Sequence, residues 1–150
     1  MLGAISKGLC KPDFYLDGKR LKNVDSHLYL GIELAYNLKW SRHIDNIVAK
    51  ASGRLGLLRR ALKSADSRTR QQAYNTIVMP ILEYGCPVWD PCLAKDIKKL
   101  EKVQNKAMRF IFRLRGQVSF SKVRSDTGTI SLKDRRKNLW LNLFFKSVDR

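Results

Sequence analysis

The chain has 150 residues, 30 Lys and Arg against 13 Asp and Glu, a formal net charge of +17 and 44% hydrophobic residues. That apolar fraction excludes wholesale disorder, and the length gives one modest domain able to bury roughly 70% of its unfolded surface. The positive excess repels itself and attracts polyanions, so nucleic acid or an anionic membrane surface is the implied partner class, well ahead of acidic substrates.

The longest apolar runs, Ile77 to Leu82 and Leu139 to Phe145, fall far short of the roughly 20 residues that cross a bilayer. Met1 to Cys10 carries neither a basic leader with an apolar run nor a small-residue cleavage site, so an intracellular chain is expected. Cys10, Cys86 and Cys92 are odd in number with no CxxC spacing, which favours reduced thiols over a disulfide framework.

In chain order, Asp17-Gly18 is a two-residue turn signal between Phe14-Tyr15-Leu16 and Leu21-Lys22-Asn23-Val24, and His27 to Ile32 reads as a third strand. Ser41 offers an N-cap for an amphipathic helix to Lys63, whose stripe is Ile44, Ile47, Val48, Ala51, Leu55, Leu58 and Leu62. A second helix is expected from Ser67 to about Val78, with a kink or break at Met79-Pro80, because proline lacks the donor and disfavours helix before it. Tyr84 to Pro91, with two prolines and a glycine, reads as a structured loop.

A third helix is expected from Ala94 to Arg115, with Ile97, Leu100, Val103, Ala107, Phe110, Ile111 and Leu114 on one side and Gly116 as its stop. Gln117 to Gly128 shows no period and reads as a connector. Ser131 with Asp134 then opens a fourth helix from Leu132 to about Val148. Leu132, Leu139, Trp140, Leu143 and Phe144 would face the core, whereas Leu141 and Phe145 point elsewhere, as in a helix buried on two sides or one with a truncated interface.

The third helix carries the most informative charge pattern. Lys95, Lys98, Lys99, Lys102, Lys106, Arg109 and Arg113 project within about 100° of one another, opposite the apolar stripe, as a cationic ridge about 27 Å long. Such a ridge can track a phosphate backbone through counterion release, although a solvated polar face explains the same pattern, and Asp96 and Glu101 interrupt it. The first helix adds Lys50, Arg54, Arg59, Arg60 and Lys63, with Arg68 and Arg70 just beyond; these scatter around the axis and read mostly as structural or solvating, although Arg59 and Arg60, beside a turn, are placed to reach a backbone. Tyr74, Tyr84 and Trp89 fit base-stacking platforms but fit core packing better.

Two-metal phosphoryl transfer needs clustered carboxylates, and here Asp and Glu are scattered singly with no Asp-Asp pair. His27 and His43 with Cys86 and Cys92 do not match zinc-ligand spacing, and no phosphate-binding glycine loop or nucleophile motif occurs. Neither a metal nor a cofactor is therefore expected.

The words of the sequence go further than its statistics. Tyr29-Leu30-Gly31-Ile32, Leu38-Lys39-Trp40 with His43-Ile44, and Leu55 to Arg60 are followed by Tyr74 and by Pro80 to Gly85 with Pro87 to Pro91. Leu100 to Ala107 with Arg109-Phe110, and Ser131-Leu132 with Arg135-Arg136 and Lys146, complete an ordered series. This series resembles the C-terminal part of reverse transcriptases of non-LTR, LINE-type (jockey-like) retrotransposons, over about Phe14 to Val148. The resemblance implies that Tyr29, Leu30 and Gly31 are primer-grip-like and that the following helices form a thumb and post-thumb holding a template-primer duplex. The family's aromatic-Ala-Asp-Asp catalytic box does not occur in this chain, so the resemblance implies a fragment of a transposon polyprotein that is no polymerase on its own and partners the remainder of the reverse transcriptase.

The expected architecture is thus α+β and predominantly α. A small antiparallel β unit in residues 1–40, a remnant of the palm, precedes a thumb-like helical region in 41–116 and a connector with C-terminal helix in 117–150, giving an irregular bundle of about four helices. The expected function is nonspecific binding of template-primer nucleic acid, with no membrane partner. Two other readings stay open: a structural remnant that only completes a larger fold, and a basic helical protein lying on anionic membranes.

Overall fold

Two tight hairpins open the described chain, which runs from residue 13 to residue 148 of the computed structural model; the expectations resting on Met1 to Cys10, including the Cys10 thiol, lie outside the described residues. β1 (Tyr15–Leu16) pairs antiparallel with β2 (Lys19–Arg20) around Asp17-Gly18, both at positive φ, as a two-residue turn matched to strand twist requires. β3 (Ser26–Tyr29) pairs with β4 (Ile32–Ala35) in the register Ser26 to Ala35 through Tyr29 to Ile32. The expected continuous strand from His27 to Ile32 is corrected. Leu30 and Gly31 both adopt positive φ and reverse the chain, and the four strands form two separate two-stranded sheets. Leu21 to Val24 are not strand residues.

α1 (Ser41–Ala61) buries Ile44, Ile47, Ala51, Leu55 and Leu58 as its spacing predicts, with Val48 and Leu62 packed partly against the same core. Ser41 is not its N-cap. Trp40 occupies that position without a side-chain cap, and the Ser41 hydroxyl instead donates to Asp96 Oδ2 at 2.6 Å, tying the start of α1 to another helix.

α2 (Ser67–Ala73) is capped by Asp66, whose carboxylate accepts from the Arg68 and Thr69 amides. Where a kink or break was expected at Met79-Pro80, the helix is irregular but unbroken. The chain widens into a π turn at Tyr74–Val78, in which the Met79 amide reaches back to the Tyr74 carbonyl, and continues as α3 (Met79–Glu83). One wide turn absorbs both the missing proline donor and its ring, so the helical path is kept.

The supposed loop from Tyr84 to Pro91 contains a further helical turn, α4 (Cys86–Trp89), entered through Gly85 in the left-handed region at φ 63°. Trp89 is wholly buried and its indole N–H donates to the Tyr84 carbonyl at 2.8 Å. A methyl group on Gly85 would sit 2.7 Å from Ile32 Cδ1. Gly85→Ala should therefore destabilise the fold by about 1–2 kcal/mol from left-handed strain and overpacking together. A chemical-denaturation midpoint equal to that of the unsubstituted chain would contradict this placement.

α5 (Ala94–Ile111) buries Leu100, Val103, Ala107 and Ile111 as expected, and also Asp96, Gln104 and Met108. It stops earlier than expected, because Arg113 takes a left-handed φ of 52°. The expected connector holds α6 (Phe120–Thr127), ended by left-handed Gly128. α7 (Leu132–Val148) begins as predicted: Ser131 Oγ accepts from the Asp134 amide and donates to its carboxylate.

Only the first turns of α7 are built into the core. The buried Gln104 amide donates to the Ile130 carbonyl and accepts from the Leu132 amide; Arg135 pairs with Glu83, and Arg136 with Asp90 at 2.8 Å. Leu139, Trp140, Leu143 and Phe144, expected in the core, are exposed, as are Phe145 and Val148. The chain is thus α+β and mostly α, with four long helical stretches and the short α4 and α6 around a core shared by α1, α3, α5 and α7.

Candidate nucleic-acid interface

α1 and α5 lie side by side and parallel. At their starts Ser41 donates to Asp96, and Asp45 pairs with Lys99 Nζ at 2.5 Å. At their ends the Arg70 guanidinium joins Leu62 and Lys63 to Phe110. The return path between them is α2, the π turn and α3.

The Asp96 carboxylate is almost fully buried. Burial alone would raise its pKa, but the Ser41 hydroxyl and the Lys99 ammonium, 3.1 Å away, outweigh that and hold it below the ordinary carboxylate value. Asp96 is therefore no interruption of the cationic ridge; it is a latch beneath it. A depressed carboxyl pKa stabilises the fold above its unfolded value near 3.8 and loses that contribution as the pH falls further. Ser41→Ala should lower stability at neutral pH by about 1–2 kcal/mol and flatten the acid limb of a melting-temperature profile. An unchanged acid limb would remove the latch from the account.

The ridge itself is shorter and more selective than its charge pattern suggests. From Lys95 to Arg109 it covers about 21 Å of α5. Lys98, Lys102 and Lys106, at i, i+4 and i+8, are exposed and share no hydrogen bond or ion pair with any described residue. Lys95 is exposed beside them and faces Asp96 electrostatically. Lys99 is engaged by Asp45 and Asp96, which raise its pKa. Arg109 donates to the Gly116 carbonyl at 3.0 Å and lies over the Phe120 ring. Arg113, expected to extend the ridge, is outside the helix and donates to the Lys63 and Ala65 carbonyls at 3.4 Å.

Arg59 and Arg60 are exposed near the end of α1. Arg59 shares an open basic cleft with Arg109 and Arg113, so the structure brings together residues from both sequence-predicted sets. Arg70, read from sequence only as one of the scattered cations, has a specific structural role. Only 3% exposed, it donates to the carbonyls of Leu62 at 3.2 Å, Lys63 at 2.8 Å and Phe110 at 3.0 Å, and stacks on the Phe110 ring. Among the described residues no carboxylate pairs with it. Two helix C-termini, each worth about half a negative charge, supply its counter-charge.

The expected primer-grip-like residues form the exposed tip of the β3–β4 hairpin. Leu30 is 72% exposed at φ 47°, a conformation a branched side chain rarely accepts, and its carbonyl receives the Tyr84 hydroxyl at 3.0 Å. Gly31 lies under the Tyr84 ring. Tyr84 is exposed, in contrast to the core role expected of it, whereas Tyr74 and Trp89 are core. His43 anchors the hairpin from below: Nδ1 accepts from the Glu33 amide at 3.2 Å, and burial lowers its pKa.

Cys86 is buried, and burial followed by the Glu83 charge pushes its thiol up to about 11, which suppresses nucleophilicity. Among the described residues no three His, Cys, Asp or Glu side chains gather as metal ligands, and no helix is long and apolar enough to cross a membrane.

Comparison with known proteins places these features beside mobile-element polymerases. The chain is 29% identical over 104 residues to a protein described as a probable RNA-directed DNA polymerase from transposon X-element of Drosophila melanogaster, a match covering 67% of this chain and 11% of that protein. It is 31% identical over 81 residues to a 115 kDa protein in the type-1 retrotransposable element R1DM of the same organism, covering 52% and 8%. It is 29% identical over 107 residues to the RNA-directed DNA polymerase from mobile element jockey, covering 69% and 12%. The chain spans about a tenth of the length of these curated relatives. The resemblance to non-LTR retrotransposon proteins read from the ordered motifs is thus found independently. No family model and no solved structure matches.

Proposed function

We propose that this chain is a thumb-like module of a retrotransposon RNA-directed DNA polymerase that grips the backbone of template-primer nucleic acid without doing chemistry itself. The observation that carries the reading is the unpaired row Lys98, Lys102 and Lys106 on a helix where Lys99 is ion-paired and Arg109 is bonded to a backbone carbonyl. Their i, i+4 spacing puts about 6 Å between successive side-chain origins, close enough for consecutive phosphates of a strand to meet consecutive ammonium groups. The relatives supply the partner class, since two of them are described as RNA-directed DNA polymerases. In this reading residues 1–40 are the primer-grip-like part, 41–116 the thumb, and 117–150 the post-thumb connector and helix; Tyr29, Leu30 and Gly31 present a strained tip towards a strand end.

Equilibrium binding of an RNA–DNA hybrid and a DNA duplex over a salt series tests this directly. Both should bind with similar affinity and little sequence preference, with log K falling linearly against log salt at a slope near −3 or steeper. Salt-independent binding, or none at low salt, would overturn the reading.

A second reading is favoured by α7. Its exposed Leu139, Trp140, Leu143, Phe144, Phe145 and Val148 occupy most of the helix circumference, more apolar surface than a free helix end carries. A module that completes a larger fold explains this surface, and the two readings are compatible. Concentration-dependent self-association that vanishes on changing Trp140 and Phe144 to Gln would assign the apolar face to it.

A further inference from the structure

The parallel arrangement of α1 and α5 brings two helix C-termini to one place, and the cleft between them is unlike the ridge. Arg59 and Lys63 rise from the end of α1, Arg109 from the last turn of α5, and Arg113 and Arg115 from the segment that follows, with Phe110 between them. No carboxylate lines it; the nearby Asp66 carboxylate is turned into the first amides of α2. Helix C-termini ordinarily repel anions, but here the Phe110 carbonyl in the last turn of α5 and the Leu62, Lys63 and Ala65 carbonyls just past α1 accept from Arg70 and Arg113. The repulsive ends are thereby offset in part, and the side chains of Arg59, Lys63 and Arg115 are exposed without partners among the described residues.

We infer that this cleft is a single-strand site, taking the unpaired end or overhang of a nucleic acid whose duplex part lies along the ridge. Two observations carry it. The lining joins cations to the ring of Phe110, which carries Arg70 on one face, and cations beside an aromatic are the combination by which single strands are held. Arg109 belongs to both features, so a strand followed from Lys98 to Lys106 is delivered to the cleft mouth. The inference rests on the proposed function for its ligand class and adds where the unpaired portion goes.

The test compares three probes on the whole chain at fixed salt: a blunt RNA–DNA hybrid, the same hybrid with a single-stranded overhang, and the overhang strand alone. The unsubstituted chain should prefer the overhang hybrid to the blunt one by about tenfold. Changing Arg59, Lys63 and Arg115 together to Gln should abolish that preference and leave blunt-hybrid affinity within about twofold. Changing Lys98, Lys102 and Lys106 to Gln should weaken both hybrids and keep the preference. Arg115→Gln alone, at a loop position with no structural bond, should reduce the preference about threefold and guards against misfolding of the triple variant. Equal binding of blunt and overhang hybrids by the unsubstituted chain, or equal loss on both probes in the cleft variant, overturns the single-strand site. Failure of the blunt hybrid to bind while the single strand does would instead overturn the ridge.

Discussion

Arg70→Met should be among the most destabilising single substitutions in this chain, costing about 3–4 kcal/mol and lowering the melting temperature by about 10 °C. The guanidinium is almost inaccessible and makes three hydrogen bonds, each to a carbonyl at a helix end. Replacing a buried charge by an apolar side chain is often neutral when its partner is replaced too. Here the partners are backbone carbonyls that cannot be replaced, so methionine removes three hydrogen bonds at about 1 kcal/mol or more each, leaving the Phe110 carbonyl without a donor and the Leu62 and Lys63 carbonyls with only the longer bonds from the Ala65 amide and Arg113. The link between the ends of α1 and α5 is lost with them. Arg70→Lys should recover less than half of the loss, because one ammonium cannot reach three acceptors that a planar fork spans. Unfolding of Arg70→Met within 0.5 kcal/mol of the unsubstituted chain would show that α1 and α5 are held by their apolar stripes alone.

The second large effect is on binding. Changing Lys98, Lys102 and Lys106 to Gln should reduce the magnitude of the log K against log salt slope by up to about 2.7, since each phosphate contact on B-form duplex contributes about 0.9. Affinity at low salt should fall by about two orders of magnitude on hybrid and duplex alike, because backbone contacts carry no base information. Glutamine keeps an unbranched polar side chain of similar helix propensity, and none of the three lysines bonds to a described residue, so the fold should melt unchanged. Lys133, Lys137 and Lys146 on α7 form the control. Their replacement removes the same charge from another face, and an equal loss of affinity would reduce the ridge to part of a diffuse positive field.

The fold was legible where periodicity alone decides it. The stripes of α1 and α5 and the start of α7 follow from spacing and capping chemistry. At Pro80 an irregularity was legible but not its form, because a single π turn accommodates a proline at modest cost, a solution that no local residue pattern announces. α6 escaped notice because it buries no residue fully, so it carries little apolar period. For the site, the facing direction of the lysines could be read from sequence, but not which of them were already engaged: Asp45, 54 positions away, neutralises Lys99 only after α1 and α5 pack. The role of Arg70 was hidden for the same reason. Its three acceptors are backbone atoms, which leave no trace in side-chain pattern, although an arginine at an otherwise inward-facing helix position was the available signal.

Lysine footprinting tests the central claim most directly. With a saturating RNA–DNA hybrid at low salt, Lys98, Lys102 and Lys106 should be protected from amine-reactive acylation by about tenfold, while Lys133, Lys137 and Lys146 react as in the free protein. Protection spread evenly over all exposed lysines, or absent from the three on α5, would contradict the assignment of the α5 ridge as the surface that grips nucleic acid.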